Sequence, residues 1–122
     1  MYQRVFIVKE GQWGSVKPEE YKSIIELYKR VLERALDARG NKMATVEIIE
    51  TAKEAEKRAE MEADVVVFIS CGMGEEAERF AKSFPRIKVI VFTGDIPKGK
   101  VIWVSKGWAA DSKTIQNIVL RY

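Results

Sequence analysis

The first apolar positions of the chain fall in "YQRVFIV" (2–8), where Val5 and Ile7 alternate with Phe6 and Val8, so an extended segment would be apolar on both faces. Such a pattern predicts a strand covered on both sides. After the loop "KEGQWGSVK", Pro18 with Glu19 and Glu20 opens a helix, because proline is preorganised at the first helical position and carboxylates favour the positive end of the helix dipole. Tyr21, Ile24, Ile25, Tyr28, Val31, Leu32, Ala35 and Leu36 recur at intervals of three and four, which predicts one broad apolar stripe running until Gly40.

"MATVEIIE" has a more polar pattern, with Glu47 and Glu50 interrupting it, and is expected at a sheet edge. "TAKEAEKRAEMEA" aligns Ala52, Ala55, Ala59 and Ala63 on one side of a helix, a narrow stripe suited to close docking on a sheet. "DVVVFIS" is almost wholly apolar, the pattern of a strand covered on both faces. Ala77, Phe80, Ala81 and Phe84 form the next helical face, which Pro85 stops, and "IKVIVFT" is a further buried strand. The turn "GDIPKGK" is too short for an ordinary parallel crossover, so "VIWVS" is expected to return antiparallel. "DSKTIQNIVLRY" fits a helix capped by Asp111, with Ile115, Ile118, Val119 and Tyr122 on one face; a last strand in "IVLRY" is the alternative.

Alternation of strand and helix predicts an α/β fold with right-handed crossovers, a single domain over 1–122 in which helices cover both faces of a mostly parallel five-stranded sheet. With the polar strand at the edge, the order is 2-1-3-4, the fifth strand lying antiparallel outside the fourth, a flavodoxin-like arrangement by pattern. Its topological switch point falls between the first and third strands, where ligands of such sheets bind beyond the strand carboxyl ends. "GQWG" (11–14) and "CGMG" (71–74) would meet there.

Composition narrows the chemistry. Histidine is absent and Cys71 is the single cysteine, so an internal disulfide, a His-dependent triad and a His/Cys metal site are all excluded. No apolar run reaches the roughly 18 residues of a membrane span, and the early charges of "MYQRVFIVKE" do not fit a secretory signal, so the expected compartment is the cytoplasm. Lys and Glu dominate the charges while Asn and Gln are scarce, which points to a hot environment. A net charge of +3 is too small to imply nucleic-acid binding. The charge is segregated, however: residues 43–79 carry four basic and ten acidic groups, whereas 80–122 carry eight basic and two acidic. That asymmetry, with Trp13 and Trp108 in loops, provides the materials for a homodimer.

The candidate chemistry centres on "VVVFISCGMGEEAERFAKSFPRIKVIVFTGD". Gly72, Gly74 and Ala77 have a G-x-G-x-x-A spacing between a strand and a helix, and Asp95 lies 23 residues after Gly72. The stretch resembles the nucleotide-binding βαβ unit, and is also similar to the cofactor loop of class I methyltransferases. Both resemblances imply a glycine loop that approaches the ligand, with an acid near the end of the next strand holding a ribose; Thr93 occupies the strand-end position and Asp95 follows two residues later. Glu75 and Glu76 would repel a phosphate there, whereas an uncharged or sulfonium ligand would tolerate them. "CGMG" also resembles the phosphocysteine loop of sugar phosphotransferase IIB proteins, and its placement is similar to the reactive cysteine of sulfur-relay proteins. This implies thiol chemistry at Cys71, beside a helix start that lowers a thiol pKa. The plainer alternative is a tight turn with dipole-compensating glutamates.

Three functions therefore stand open: a domain binding a nucleotide-like or other small polar ligand through Gly72, Gly74, Thr93 and Asp95 with Trp13 above, a non-catalytic homo-oligomeric or protein-interaction module, and an enzyme using the Cys71 thiol. The cofactor, the ligand and the reaction are not specified by these residues.

Overall fold

A computed structural model of the protein describes residues 2–10, 17–69, 74–92, 102–104 and 112–121. The elements are β1 (Gln3–Val8), α1 (Pro18–Glu33), β2 (Ala44–Ile49), α2 (Ala52–Glu62), β3 (Val65–Phe68), α3 (Gly74–Ser83), β4 (Lys88–Phe92), β5 (Ile102–Val104) and α4 (Ser112–Gln116). A wide π-helical turn, Asn117–Arg121, follows α4.

The strands form one sheet in the order β2-β1-β3-β4-β5. Every pairing is parallel, with Val8 level with Ile49 on one side and with Phe68 on the other. The polar strand lies at the edge, where Thr45 and Glu47 are exposed and Val46 is buried. Alternate strand residues then separate two cores. Val5, Ile7, Val65, Val67, Ile90 and Phe92 pack under α1 and the C-terminal segment, through Tyr21, Ile25, Tyr28, Leu32, Ile115 and Val119. Phe6, Val8, Val66, Phe68, Val89 and Val91 face α2 and α3, through Ala55, Ala59, Ala63, Ala77 and Phe80. The small alanine stripe of α2 brings that helix close to the sheet, and both Ala55 and Ala59 are fully buried. Ring edges lock each core: Tyr28 meets Phe92 at 5.4 Å and 86°, and Phe80 meets Phe68 at 5.8 Å and 71°.

Two expectations are corrected. The fifth strand is parallel to β4, with Ile90 level with Ile102 and Phe92 with Val104, not antiparallel. The pairing spans so few residues that the chain needs to step back only from Phe92 to the level of Ile90, about 7 Å along the strand and about 5 Å sideways. Residues 93–101 can reach several times that distance when extended, so no crossover helix is required.

Helix α1, for its part, ends at Glu33 rather than continuing to Gly40. The Asp37 carboxylate accepts the backbone N–H groups of Arg39 and Asn41 at 2.8 and 2.9 Å, and Leu36 forms an antiparallel bridge to Lys42. This side-chain turn competes with the helix for the same backbone. Gly40 serves it with a φ of +83°, a value that favours glycine. Leu36 consequently leaves the apolar stripe and is half exposed.

The C-terminal segment is helical, as the pattern favours. Its wide last turn advances the inward face by one residue, so that Leu120 is buried beside Val119 while Ile118 is only partly buried. Hydrogen bonds tie the segment down: Gln3 Nε2 donates to Leu120 O at 2.9 Å, Gln116 Nε2 to Val31 O at 2.7 Å, and Arg121 to Leu36 O at 3.0 Å.

Candidate functional site

The strand order places the switch point between β1 and β3. The chain leaves β1 for α1 on one face of the sheet and leaves β3 for α3 on the other, while Val8 and Phe68 stand side by side at the carboxyl ends of their strands. In open α/β sheets, ligands bind beyond the strand carboxyl ends at such a switch point.

Around this edge the protein fills its own helix starts. Thr51 caps α2 by accepting the Glu54 N–H at 3.1 Å, and Glu10 Oε1 accepts the Ala52 N–H at 2.7 Å. These oxygens occupy the donors that would otherwise attract an anion. Lys9 pairs with Glu50 at 3.6 Å and donates its backbone N–H to Ile49 O, continuing the ladder one residue beyond β1. Helix α3 begins at Gly74, and its first turn carries Glu75, which is exposed, and Glu76. One Glu76 oxygen, Oε2, is buried without a hydrogen bond, while Oε1 lies 3.5 Å from Arg79. Glu10, Glu50, Glu75 and Glu76 therefore border the strand carboxyl ends, and Lys9 already has a carboxylate partner. Among the described residues, the start of α3 thus presents carboxylates, which disfavour a phosphate at that helix.

Of the residues singled out in the sequence, the structure describes Gly74, the first residue of α3, and Ala77, which is fully buried in the core shared with Phe68 and Phe80. Ala77 thus lets helix and strand approach closely, as packing of α3 on the sheet requires. Trp13, Cys71, Gly72, Thr93, Asp95 and Trp108, together with Lys98, Lys100 and Lys106, lie outside the described residues.

Polar side chains that the hydrophobic pattern concealed gather at the opposite edge, where the strands begin. The Asp64 carbonyl accepts the Lys88 N–H at 3.1 Å, and its own N–H donates to Arg4 O at 2.8 Å. Its carboxylate accepts the Arg4 backbone N–H at 2.8 Å and, more weakly, the guanidinium at 3.4 Å. One aspartate thereby joins the beginnings of β1, β3 and β4. The Arg4 N–H, followed by its guanidinium, holds the Asp64 carboxyl below the usual carboxylate range. Nearby, the Lys88 ammonium donates to Ile118 O at 2.8 Å and Val119 O at 3.1 Å, and partial burial pushes its pKa down. The one signal for this lysine is its place at the head of an otherwise apolar strand, "IKVIVF".

Among the described residues, no three His, Cys, Asp or Glu side chains are grouped as metal ligands, and no helix is long and apolar enough to cross a membrane. No protein-family model matches the chain, and no curated protein sequence matches it. Its fold is similar to that of a crystallised fragment from Peptoclostridium difficile 630 described as a "putative lipoprotein", with a TM-score of 0.65 over 95% of each chain. At 10% identity the likeness is one of fold alone, a small α/β domain built on a parallel sheet.

Proposed function

We propose that this chain is a small ligand-binding domain that seats a neutral or cationic polar molecule beyond the carboxyl ends of β1 and β3. The observation that supports this most directly is the adjacency of Val8 and Phe68 where the flanking connections diverge to opposite faces, as in doubly wound sheets of the flavodoxin-like order. In this reading, Gly72 and Gly74 let the backbone approach the ligand, Thr93 and Asp95 supply polar contacts from the segment after β4, and Trp13 covers it. The carboxylates on this edge favour adenosine or a sulfonium such as S-adenosylmethionine over a nucleoside triphosphate.

Titrating isotopically labelled protein with S-adenosylmethionine, adenosine and ATP tests the reading. The amides of Lys9, Ile69, Glu75 and Glu76 are expected to shift with the first two and not with ATP, and the double change of Glu75 and Glu76 to Gln should narrow that preference. Absence of a response at these amides to all three compounds would defeat the proposal. Should the chain then scatter light as a dimer whose stability falls with salt, the self-associating module takes its place.

A further inference from the structure

We infer that a second site, at the amino ends of the strands, accepts a small zwitterion with an apolar side chain, the chemical class of a free α-amino acid. It is separate from the proposed crevice and does not depend on it, because the two lie at opposite ends of the sheet. A half-open cavity of about 450 Å³ occupies this end, a size within the ordinary range for small-molecule sites.

The cavity has an apolar side and two pairs of opposite charges. Ala63, Phe84, Pro85 and Ile87 supply the apolar surface. Phe84 is steadied by Phe80, whose ring centroid is 4.7 Å away, so this wall exists before any ligand arrives. Arg4 and Asp64 form the first pair of charges, with Arg4 Nε 3.4 Å from the carboxylate and Arg4 Nη1 donating to Met61 O at 3.0 Å. Together they make a locally neutral wall.

Glu60 and Arg86 are the second pair. Glu60 lies on the last turn of α2 and Arg86 on the turn between α3 and β4, both are exposed, and neither forms an ion pair or side-chain hydrogen bond with another described residue. A free anion entering the cavity meets two carboxylates as well as two guanidiniums, and a free cation meets the reverse. Neither gains much. A molecule carrying both charges can present its carboxylate to the Arg86 fork and its ammonium to Glu60. The negative end of α2, in the turn that carries Glu60, also favours the ammonium. The apolar side then covers the ligand's side chain.

Amide shifts of labelled full-length chain measured against L-phenylalanine, phenethylamine and 3-phenylpropionate test this inference. L-phenylalanine at millimolar concentration should shift Ala63, Asp64 and Ile87 saturably, and each single-charge analogue should bind about tenfold more weakly or worse. Arg86→Gln should weaken L-phenylalanine and 3-phenylpropionate but not phenethylamine. Glu60→Gln should weaken L-phenylalanine and phenethylamine but not 3-phenylpropionate. Both side chains are exposed and unpaired, and circular dichroism verifies that each variant is folded. Unshifted amides at millimolar L-phenylalanine, equal responses to all three compounds, or indifference to both substitutions would overturn it. Shifts confined to Lys9, Glu75 and Glu76 would also overturn it, while leaving the crevice proposal standing.

Discussion

Replacing Lys88 by methionine keeps a side chain of similar length and apolar character but removes the ammonium that holds the last turn. The contacts that disappear include those at 2.8 Å to Ile118 O and 3.1 Å to Val119 O. A hydrogen bond from a charged donor contributes roughly 1.5–3 kcal/mol, and a buried acceptor left unpaired costs roughly 1–3 kcal/mol. Against this, the variant no longer removes a charge from water, a cost visible in the depressed lysine pKa. The balance is a loss of about 2 kcal/mol, or a fall of about 1 M in the urea midpoint for a chain of this size. Urea denaturation measures it, and hydrogen exchange at Val119 and Leu120 should show the loss concentrated in the last turn. The pH dependence carries a further sign. The folded chain releases the Lys88 proton before the unfolded chain does, so the wild type gains stability as pH rises from the lowered pKa to the unfolded value near 10.5, and the deficit of the variant should grow over that window. An unchanged midpoint together with unchanged protection at Val119 and Leu120 would show that the ammonium is not what holds this segment.

Phe80→Ala removes a fully buried ring that touches both Phe68 and Phe84, and should cost about 3–5 kcal/mol by thermal or urea unfolding. Ala59→Leu forces extra volume between α2 and the sheet, with an expected loss of about 1–3 kcal/mol, whereas the same change at exposed Lys57 should be nearly silent. Asp64→Asn should destabilise at neutral pH by no more than about 1 kcal/mol, because the carboxylate is partly screened by solvent. Its folded pKa lies below the unfolded value near 3.9, so the contribution is present above that value and is lost as pH falls through the lowered one. Wild type and variant should therefore converge in strong acid.

Central strands were legible because a position buried on both faces tolerates little but apolar residues: β3 is Val65–Phe68 with every side chain buried, and β4 is apolar after Lys88. The edge position of β2 was legible from Thr45 and Glu47 for the complementary reason. The direction of β5 was not, because loop length distinguishes hairpin from crossover only when strands are long enough to demand a long return. The early end of α1 was hidden because Asp37 acts through backbone hydrogen bonds, which the apolar stripe does not record. At the candidate crevice, the placement of Glu75 and Glu76 in the first turn of α3 was readable, because Pro85 and the apolar spacing fix where that helix lies. The cavity at the other edge was not, since Arg4, Asp64 and Arg86 are distant in sequence and meet only once parallel strands align their beginnings.

The C-terminal segment has a consequence for synthesis. Gln3 and Leu120 are bonded across 117 positions, an interval that takes about 6 to 23 s to translate at ordinary rates. Of the described elements this segment is made last, so the apolar face that Ile115, Val119 and Leu120 close is the last to be covered. Changes in these last residues should therefore act first on how much nascent chain escapes aggregation, before they register in the stability of the finished protein.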